Sequence, residues 1–574
     1  MNKKGHFIWT LLLIVVSLLL GFNAGRYYRM LRPQSRAIQA GQNKVNEALE
    51  IIGQNYVDTV DVERLTESAV LKMVSELDPH SSYIPAVDVE SANEDLESSF
   101  SGIGIQFNMP TDTIIVISVI SGGPSEKAGL MPFDRIITVD DSIVAGKSLG
   151  TAKIMRMLRG QKDTKVKLGI KRGNSEELAY FDLTRGDIPN YSVDVSYKVS
   201  DDIGYIKVTK FARSTYSEFL TAIAKLKQEK VRGFIIDLRD NPGGYMESAI
   251  YMINEFLAKG QMIVYTQGRA YPRNDMRSNG KGSCQDAPLV ILINELSGSA
   301  SEIFAGAIQD NDRGLVIGRR SFAKGLVQTK LDFSDRSELL LTIARYYTPS
   351  GRCIQKKYEL GKSDEYNYDI INRSVHGEFY SADSIKMTDS LEYKTSGGRI
   401  VYGGGGIMPD IFIPLDTIGS TSYLSSLFNT GILYKFALVY SDKNHDLLDK
   451  FSDYKSLYEY LKQQPLAYEL ADYAAEQGIK KRPTLMSISK DLIDNQLHAY
   501  IIRNFFDYEG FYPVIMKDDG TLKKAIEVIE KDIWKPEVFS KYKSEQENAT
   551  QSRESAHIFR NESAEFIYQK KLAM

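Results

Sequence analysis

Three side chains in the middle of the chain have the types and spacing to activate a nucleophile. Ser299 follows an apolar run, Leu289–Ile293, and a turn of small residues, and a helical pattern then runs from about Ala300 to Gln309. A strand, a sharp turn and a helix place such a serine at a helix N-terminus, where free N–H groups and the dipole stabilise developing negative charge. A serine hydroxyl needs a base, and Lys324 is one if burial lowers its pKa towards neutrality. Gln328 lies on the same face of an extended segment and can orient the amine through its carbonyl.

The same serine also fits a purely structural interpretation. Residues 299–302 read S-A-S-E and match the S-x-x-E capping box, which only starts a helix. A lysine in a loop is by default a solvated surface residue. The local pattern therefore leaves both catalysis and helix capping open.

Longer stretches around these residues resemble the carboxyl-terminal processing peptidases, also called tail-specific proteases, which are PDZ-containing serine peptidases with a Ser–Lys dyad. Residues 297–305 read SGSASEIFA and residues 318–328 read GRRSFAKGLVQ. The family's motifs read roughly S-A-S-A-S-E-I-F-A and G-x-x-T-F-G-K-G-x-V-Q. The resemblance implies that Ser299 is the nucleophile, that Lys324 is the general base and that Gln328 holds the lysine.

Three positions depart from the family's motifs without removing a reactive group. Gly298 replaces an alanine, Ser321 a threonine and Ala323 a glycine. Alanine has less backbone freedom than glycine, so Ala323 could stiffen the loop and shift Lys324, and the geometry of this loop is left open.

A second glycine-containing turn follows the buried strand pattern of Gly233–Leu238. Such a turn, at the C-terminal end of a strand, places backbone N–H groups on the usual ligand side of an α/β sheet. The turn, Arg239–Gly244, resembles the family's D-L-R-x-N-P-G-G segment, whose glycine amide contributes to the oxyanion hole. The resemblance implies Gly243 or Gly244 as one donor and the amide of Ala300 as the other. The alternative is a tight turn that needs glycine only for positive φ.

Residues from about 96 to 187 resemble a PDZ domain. The stretch FSGIGIQF at 100–107 looks like a carboxylate-binding loop, in which successive N–H groups converge on an anion and the next strand edge takes up a peptide. The residues assigned in this way to binding a peptide C-terminus are Ser101, Gly102, Ile103, Gly104 and Ile105. Phe133 replaces the usual glycine before Asp134. A PDZ-like fold that binds no peptide is the alternative.

The pattern of strands and helices predicts an α/β multidomain protein. Strand and helix patterns alternate between residues 188 and 415, which predicts an α/β peptidase core with a largely parallel sheet. A polar stretch at 355–400 is interpreted as an insertion or a long surface loop. Three helical patterns occupy the C-terminal part, at Ser456–Gln463, Leu466–Gln477 and Leu485–Phe506. The predicted regions are 1–33, a cytoplasmic tip with a membrane anchor or signal segment; 34–95, helical; 96–187, PDZ; 188–415, peptidase core; and 416–574, a helical extension.

The N-terminus carries an uncharged apolar run at residues 7–22, preceded by two lysines. The run is long for a signal-peptide core and slightly short for a membrane span. A bulky residue, Phe22, stands where a small one precedes a cleavage site, which favours a single-pass anchor while leaving a cleaved signal open. The arginines after the run do not clearly direct the body outwards. The family resemblance implies the bacterial inner membrane, with the catalytic body in the periplasm.

The composition is that of an ordinary globular protein. The 574 residues are 43% hydrophobic and 25% charged, with a net charge of −3, which gives no argument for binding nucleic acid. Cys284 and Cys353 can pair in an oxidising compartment or remain free thiols. The sequence has no H-E-x-x-H zinc motif and no G-x-S-x-G elbow, and neither a metal nor an organic cofactor is expected.

These features together predict a serine endopeptidase of the bacterial envelope. Its PDZ domain is expected to recognise protein substrates with free, apolar C-termini, and its N-terminal segment to attach it to the membrane. The alternative is a catalytically silent PDZ adaptor that binds protein tails. Activation by a PDZ ligand, a homo-oligomer and an activating partner are all left open by the sequence.

Overall fold

The computed structural model describes residues 44–109, 112–173, 175–385 and 391–542, together with Ser17, Gly21, Gly41 and Ser544. The anchor or signal segment predicted at 1–33 lies outside the described residues, apart from Ser17 and Gly21. Among the helices that are described, none is both long and apolar enough to cross a membrane.

The N-terminal region is tied to the rest of the chain by a short strand. Its elements are α1 (residues 44–55), α2 (Val62–Ser75), β1 (Ser82–Ile84) and α3 (Val89–Glu94). Asp61 caps α2 by accepting a hydrogen bond from the N–H of Arg64 at 3.0 Å. Between α2 and β1, the Asp78 carboxylate accepts hydrogen bonds from the N–H groups of His80 at 3.0 Å and Ser81 at 3.1 Å, which fixes a tight turn.

The predicted PDZ region is a small antiparallel unit with its own apolar core. Its elements are β2 (Ser99–Gly102), β3 (Ile105–Asn108), β4 (Ile114–Val119), α4 (Pro124–Ala128), β5 (Arg135–Val139), β6 (Ser142–Ile143), α5 (Thr151–Leu158), β7 (Lys165–Lys171), β8 (Ala179–Thr184) and β9 (Gly186–Pro189). The sheet order is β3-β4-β5-β7-β8, with β6 on β5, while β2 pairs with β9. Two further strands, β8 and β9, follow β7 in this region.

The peptidase region is built on a sheet buried on both faces. Its elements are β10 (Val193–Lys198), β11 (Ile203–Val208), α6 (Thr215–Gln228), β12 (Gly233–Asp237), α7 (Met246–Asn254), β13 (Met262–Gln267), β14 (Asn274–Arg277), β15 (Leu289–Ile293), α8 (Ala300–Asp310), β16 (Leu315–Gly318), β17 (Leu326–Asp332) and β18 (Glu338–Tyr347). The order is β10-β11-β12-β15-β16-β21, where β21 is Ile411–Phe412. The β10–β11 pair is antiparallel and the other neighbouring pairs are parallel. Uninterrupted apolar runs such as Leu289–Ile293 fit strands covered on both sides.

A second sheet, of order β1-β18-β13-β14 with β17 on β18, lies at the side of the first and carries Gln328. The polar stretch at 355–400 contains α9 (Ser363–Val375), a 3₁₀ turn at Ala382–Ser384, β19 (Glu392–Lys394) and β20 (Ile400–Tyr402). Its interpretation as a surface loop is wrong for α9, because that helix buries Tyr366 and Arg373.

The C-terminal extension is helical, as its sequence patterns predict. It comprises α10 (Ser422–Asn429), α11 (Ile432–Lys443), α12 (His445–Leu448), α13 (Tyr454–Leu461), α14 (Leu466–Glu476), α15 (Pro483–Ile515, kinked at Asp507) and α16 (Gly520–Glu530). Helices α10 to α15 share an apolar core. Helix α16 instead covers the face of the main sheet opposite α6, α7 and α8, so the extension completes the peptidase core.

Candidate active site

Ser299 stands at the junction of a strand and a helix, as its sequence context predicts. It follows β15 by a short turn and precedes Ala300, the first residue of α8. Its backbone has φ 53° and ψ −112°, a left-handed conformation that costs a non-glycine residue about 1–3 kcal/mol. The turn is held by Asn241, whose carbonyl accepts hydrogen bonds from the N–H of Gly298 at 3.0 Å and the hydroxyl of Ser301 at 2.9 Å.

Glu302 joins the nucleophile turn to the loop of the predicted base. Its carboxylate accepts hydrogen bonds from the N–H of Ser299 at 2.8 Å and the N–H of Lys324 at 2.9 Å. It also accepts from the N–H of Ala323 at 2.7 Å and the hydroxyl of Ser321 at 2.5 Å. The side chain is fully buried, and burial raises the pKa of Glu302 to about 7 against the opposing effect of these hydrogen bonds. The sequence reasoning noticed Glu302 only as a capping residue and missed this role.

Lys324 and Gln328 meet as the spacing predicts. The Nζ atom of Lys324 donates a hydrogen bond to Oε1 of Gln328 at 2.9 Å. The Nε2 atom of Gln328 donates to the carbonyl oxygen of His80, which leaves Oε1 facing the lysine. The hydroxyl of Tyr346 contacts the carbonyl oxygens of Lys324 at 2.6 Å and of Ser299 at 3.1 Å, and so ties the base loop to the nucleophile turn.

Burial lowers the pKa of the two basic groups near this contact. Desolvation lowers the pKa of Lys324, although the charges of Glu302 and Asp78 oppose the shift. Desolvation, and next the charge of Lys324, lower the pKa of His80 to about 4, so its ring is neutral at pH 7. The ring nitrogen Nε2 of His80 lies 2.9 Å from the hydroxyl of Tyr366. These contacts give His80 a structural role beside the base.

The loop that carries Lys324 is held from outside by the insertion. Arg373 on α9 donates hydrogen bonds to the carbonyl oxygens of Arg320 at 2.7 Å and Ser321 at 2.9 Å. Ala323, which stands where the family has glycine, adopts φ 76° in this loop. The contact between Lys324 and Gln328 is formed despite that left-handed alanine.

The glycine turn lies directly against Ser299. A Cβ atom placed on Gly243 would be 2.7 Å from Cβ of Ser299 and 3.0 Å from the nitrogen of Ala300. The N–H of Gly243 donates to Oδ1 of Asn241 at 2.9 Å, so that hydrogen is engaged within its own turn. Gly244 adopts φ 139°, and a Cβ atom placed on it would clash with the carbonyl oxygen of Phe211. The N–H of Gly244 is therefore a better candidate than the N–H of Gly243 for the second donor of the predicted oxyanion hole, beside the N–H of Ala300.

All six residues predicted for the reaction line one cleft of about 1090 Å³. They are Ser299, Lys324, Gln328, Gly243, Gly244 and Ala300. The same cleft is lined by Tyr508 of α15, which sequence reasoning did not connect with the site.

Among the described residues no group of three or more His, Cys, Asp or Glu side chains could hold a metal ion. Cys284 and Cys353 are free thiols in this structure.

The predicted carboxylate loop links strands β2 and β3. Ile103 is buried, and its carbonyl accepts from the N–H of Ser125 at 2.9 Å. Gly104 adopts φ 78°, a left-handed turn that allows the chain to reverse at this point. The hydroxyl of Ser101 is buried without a hydrogen-bond partner among the described residues. The next strand, which begins at Ile105, stands at the end of the sheet order and so offers an edge to an added strand.

Comparisons with known proteins place these features in a family. Family profiles match residues 202–364 ("Peptidase family S41"), 101–183 ("PDZ domain"), 28–87 ("Activating protease CtpB N-terminal domain") and 423–507 ("Family of unknown function (DUF8443)"). The carboxy-terminal-processing protease of Bartonella bacilliformis is 38% identical over 319 residues, which cover 54% of this chain and 72% of that relative. The chain belongs to the carboxy-terminal processing peptidases.

Other relatives of this processing peptidase cover similar parts of the chain. The carboxy-terminal processing protease CtpA of Bacillus subtilis is 34% identical over 355 residues, which cover 62% of this chain and 75% of that one. A probable CtpA-like serine protease of Staphylococcus haemolyticus is 36% identical, and the match spans 55% of this chain and 62% of the relative. Among solved structures, a photosystem II D1 C-terminal processing protease matches 65% of this chain and 92% of its own, with 23% identity and a TM-score of 0.34.

Proposed function

We propose that this processing peptidase cleaves protein substrates by a Ser–Lys mechanism after its PDZ domain has captured their C-termini. The observation that carries the proposal is the hydrogen bond from Lys324 to Gln328 in the cleft that also holds Ser299. A lysine whose pKa is lowered by burial can be neutral and accept a proton. Gln328 offers the amine an acceptor that carries no charge, so it orients Lys324 without holding it in the protonated form.

The proposed reaction begins when the hydroxyl oxygen of Ser299 attacks the scissile carbonyl and Lys324 takes the hydroxyl proton. The N–H of Ala300, at the N-terminus of α8, stabilises the resulting oxyanion together with the N–H of Gly244. Each such donor typically contributes about 3 kcal/mol to the transition state. Lys324 then gives its proton to the leaving amine, which frees the downstream peptide and leaves an acyl-enzyme. Water, deprotonated by Lys324, releases the upstream product and restores the hydroxyl.

The proposed capture site is the loop from Ser101 to Ile105 with the edge of β3. Backbone N–H groups of the loop would bind the substrate's terminal carboxylate, and the apolar residues around the groove favour an apolar tail. Ile105 and Phe107 of β3 pack in the same cluster as Ile154 and Leu158 of α5. The substrate class in this proposal is therefore proteins with unfolded, apolar C-termini.

The location in the bacterial envelope, with a single-pass anchor and a periplasmic body, remains part of the proposal. It is supported by the apolar run at residues 7–22 and by the family resemblance. Fractionation of cells that express the full-length chain, with protease added to spheroplasts, tests it. Digestion only after the outer membrane is opened supports a periplasmic body, and resistance in intact spheroplasts contradicts it.

The catalytic proposal is tested with the full-length chain in detergent, as wild type, Ser299→Ala and Lys324→Ala. Each is incubated with an unfolded reporter that ends in apolar residues and with the same reporter ending in charged residues. We expect cleavage by wild type alone, faster for the apolar tail. Full activity of either variant overturns the dyad. Binding of the tail without cleavage by the wild type would instead support the silent adaptor.

A further inference from the structure

One strand of the PDZ domain is buried on both of its faces. Within β4, Ile114 and Val116 point into the core of the PDZ domain. Ile115 and Ile117, on the opposite face, form a separate apolar cluster with Leu438 of α11 and Phe505 of α15. Strands of small antiparallel domains commonly leave one face to solvent, so the second buried face indicates a built contact. The C-terminal extension is thus seated on the outer face of the PDZ sheet.

Phe133 anchors this contact from a strained position. It occupies the place where glycine is usual in a PDZ domain, and its backbone adopts φ 67°. Left-handed backbone is unfavourable for a bulky residue and persists where surrounding packing determines it. The Phe133 ring is buried, with its centroid 4.9 Å from that of His445 and 5.6 Å from that of Phe505. Both of these partners belong to the extension.

Polar contacts extend the same interface. Arg135, at the start of β5, forms an ion pair with Asp442 of α11. The Nη2 atom of Arg503, on α15, lies 3.5 Å from Oε1 of Gln106, which is on the proposed peptide-binding strand β3. The interface therefore reaches from the back of the PDZ sheet to the strand where a substrate tail would lie.

The helix that meets the PDZ domain also reaches the catalytic cleft. Arg503 donates a hydrogen bond to the hydroxyl of Tyr508 at 3.0 Å, and Tyr508 lines the cleft with Ser299. One turn further on, Tyr512 donates to Oδ2 of Asp194, on strand β10 of the main sheet, at 2.7 Å. Helix α15 thus contacts the PDZ domain through Arg503, the catalytic cleft through Tyr508 and the main sheet through Tyr512.

We propose that the helical extension is an internal mount that holds the PDZ domain beside the catalytic cleft, with Phe133 as its anchor. The inference rests on the proposed capture of substrate tails, and it assigns a role to the region whose family profile is of unknown function. A tail bound along β3 would then be delivered to Ser299 from one fixed position. The mount contributes to the selection of substrates and takes no part in the chemistry.

The test compares Phe133→Gly with Ser148→Gly in the full-length chain. Glycine suits both left-handed positions, but exposed Ser148, with φ 50°, lies in a turn that makes no described contact with the extension. The rate of amide hydrogen exchange measures whether the interface is intact, and the cleavage of reporters measures whether the interface affects the choice of substrate. For Phe133→Gly we expect at least tenfold faster exchange in α11 and around Phe505. We also expect at least a fivefold loss of the preference for apolar over charged tails, with cleavage of a short peptide within twofold of wild type. Ser148→Gly should match the wild type in all three measurements.

A charge exchange provides the second variant. Arg135→Asp should loosen the interface as Phe133→Gly does, and Arg135→Asp combined with Asp442→Arg should restore it. Unchanged exchange and unchanged tail preference in Phe133→Gly would overturn the mount. If the wild type cleaves no reporter, the proposed function fails, while the exchange rates still decide whether the PDZ domain is held by the extension.

Discussion

The carboxylate of Glu302 accepts a hydrogen bond from the backbone N–H of Ser299 at 2.8 Å. Since the same carboxylate also binds the N–H of Lys324, one buried side chain fixes the proposed nucleophile and the proposed base relative to each other. All of the groups that contact it are donors, and the carboxyl oxygens of Glu302 can accept from each of them.

Replacing Glu302 by glutamine should therefore damage the site without changing its volume. The amide NH₂ group would face an N–H or hydroxyl donor, and leaving a buried donor unsatisfied costs about 1–3 kcal/mol. We expect a lower melting temperature and at least a tenfold lower kcat on a short peptide. Calorimetry and steady-state kinetics measure the two effects, and a variant with wild-type kcat would contradict the positioning role.

The stability contributed by Glu302 should depend on pH. Its pKa is about 7 in the folded chain and 4.5 ordinarily, so the folded state holds a proton that the unfolded state has released between these values. This stability is therefore fully present below pH 4.5 and is lost as the pH rises to about 7. The melting temperature of wild type minus that of Glu302→Gln should fall across this window. A constant difference would show that Glu302 does not titrate there.

The rate of the reaction should rise with pH as Lys324 loses its proton. Because burial lowers the pKa of Lys324, the rise in kcat/KM is expected below the ordinary value of 10.5. A carboxylate beside the amine favours its charged form, so Gln328→Glu should move the rise upwards by about 1 unit or more. Gln328→Leu, the neutral control, should lower kcat without an upward shift. Identical profiles for wild type and Gln328→Glu would argue against Lys324 as the base.

A methyl group on Gly243 should block the site sterically. Its Cβ would stand 2.7 Å from Cβ of Ser299, and its positive φ of 107° already disfavours alanine. The added carbon would also stand 3.0 Å from the nitrogen of Ala300, a proposed oxyanion donor, and losing one such donor typically lowers kcat by about 10²-fold. We expect Gly243→Ala to lower kcat by a similar factor or more. Gly260→Ala is the matched control, since φ is 84° there but nothing lies within 4 Å of the added carbon. Equal losses in both variants would point to backbone strain alone.

Arg373 should influence catalysis through the main chain of the base loop. Arg373→Ala removes its hydrogen bonds to the carbonyls of Arg320 and Ser321, which lets the loop shift Lys324. We expect kcat to fall at least tenfold while KM for a short peptide stays within twofold. Arg373→Lys keeps the charge and should recover part of the loss. A change in KM alone would assign the helix α9 to substrate binding instead.

Local patterns were sufficient for the elements that carry the site. The apolar run Leu289–Ile293, the small-residue turn and the helix that follows it lie as the sequence predicts. The spacing of Lys324 and Gln328 also predicted their contact, in which Lys324 lies just before strand β17 and Gln328 lies within it. These features depend on short-range periodicity, which a sequence displays directly.

Contacts between distant parts of the chain were not predictable in this way. The stretch that contains α9 is polar, which indicates a loop, whereas the structure buries Tyr366 and Arg373 of this helix against distant partners such as His80 and Ser321. The amphipathic pattern of α16 indicates a buried face but not the sheet that covers it. The contacts of Glu302 with the loop of Lys324 were unpredictable for a similar reason, since a capping glutamate and a buried one have the same local sequence.

The proposed catalytic residues are positioned by three segments that are far apart along the chain. Gln328 faces Lys324 because its amide also reaches the carbonyl of His80, 248 positions earlier, while Ser299 belongs to a different strand and turn. A chain in which these segments have not packed together contains Ser299 and Lys324 but lacks the contact with His80 that holds Gln328 towards the lysine. The orientation of Lys324 is thus a property of the folded chain as a whole and not of the segment around residues 299–328 alone.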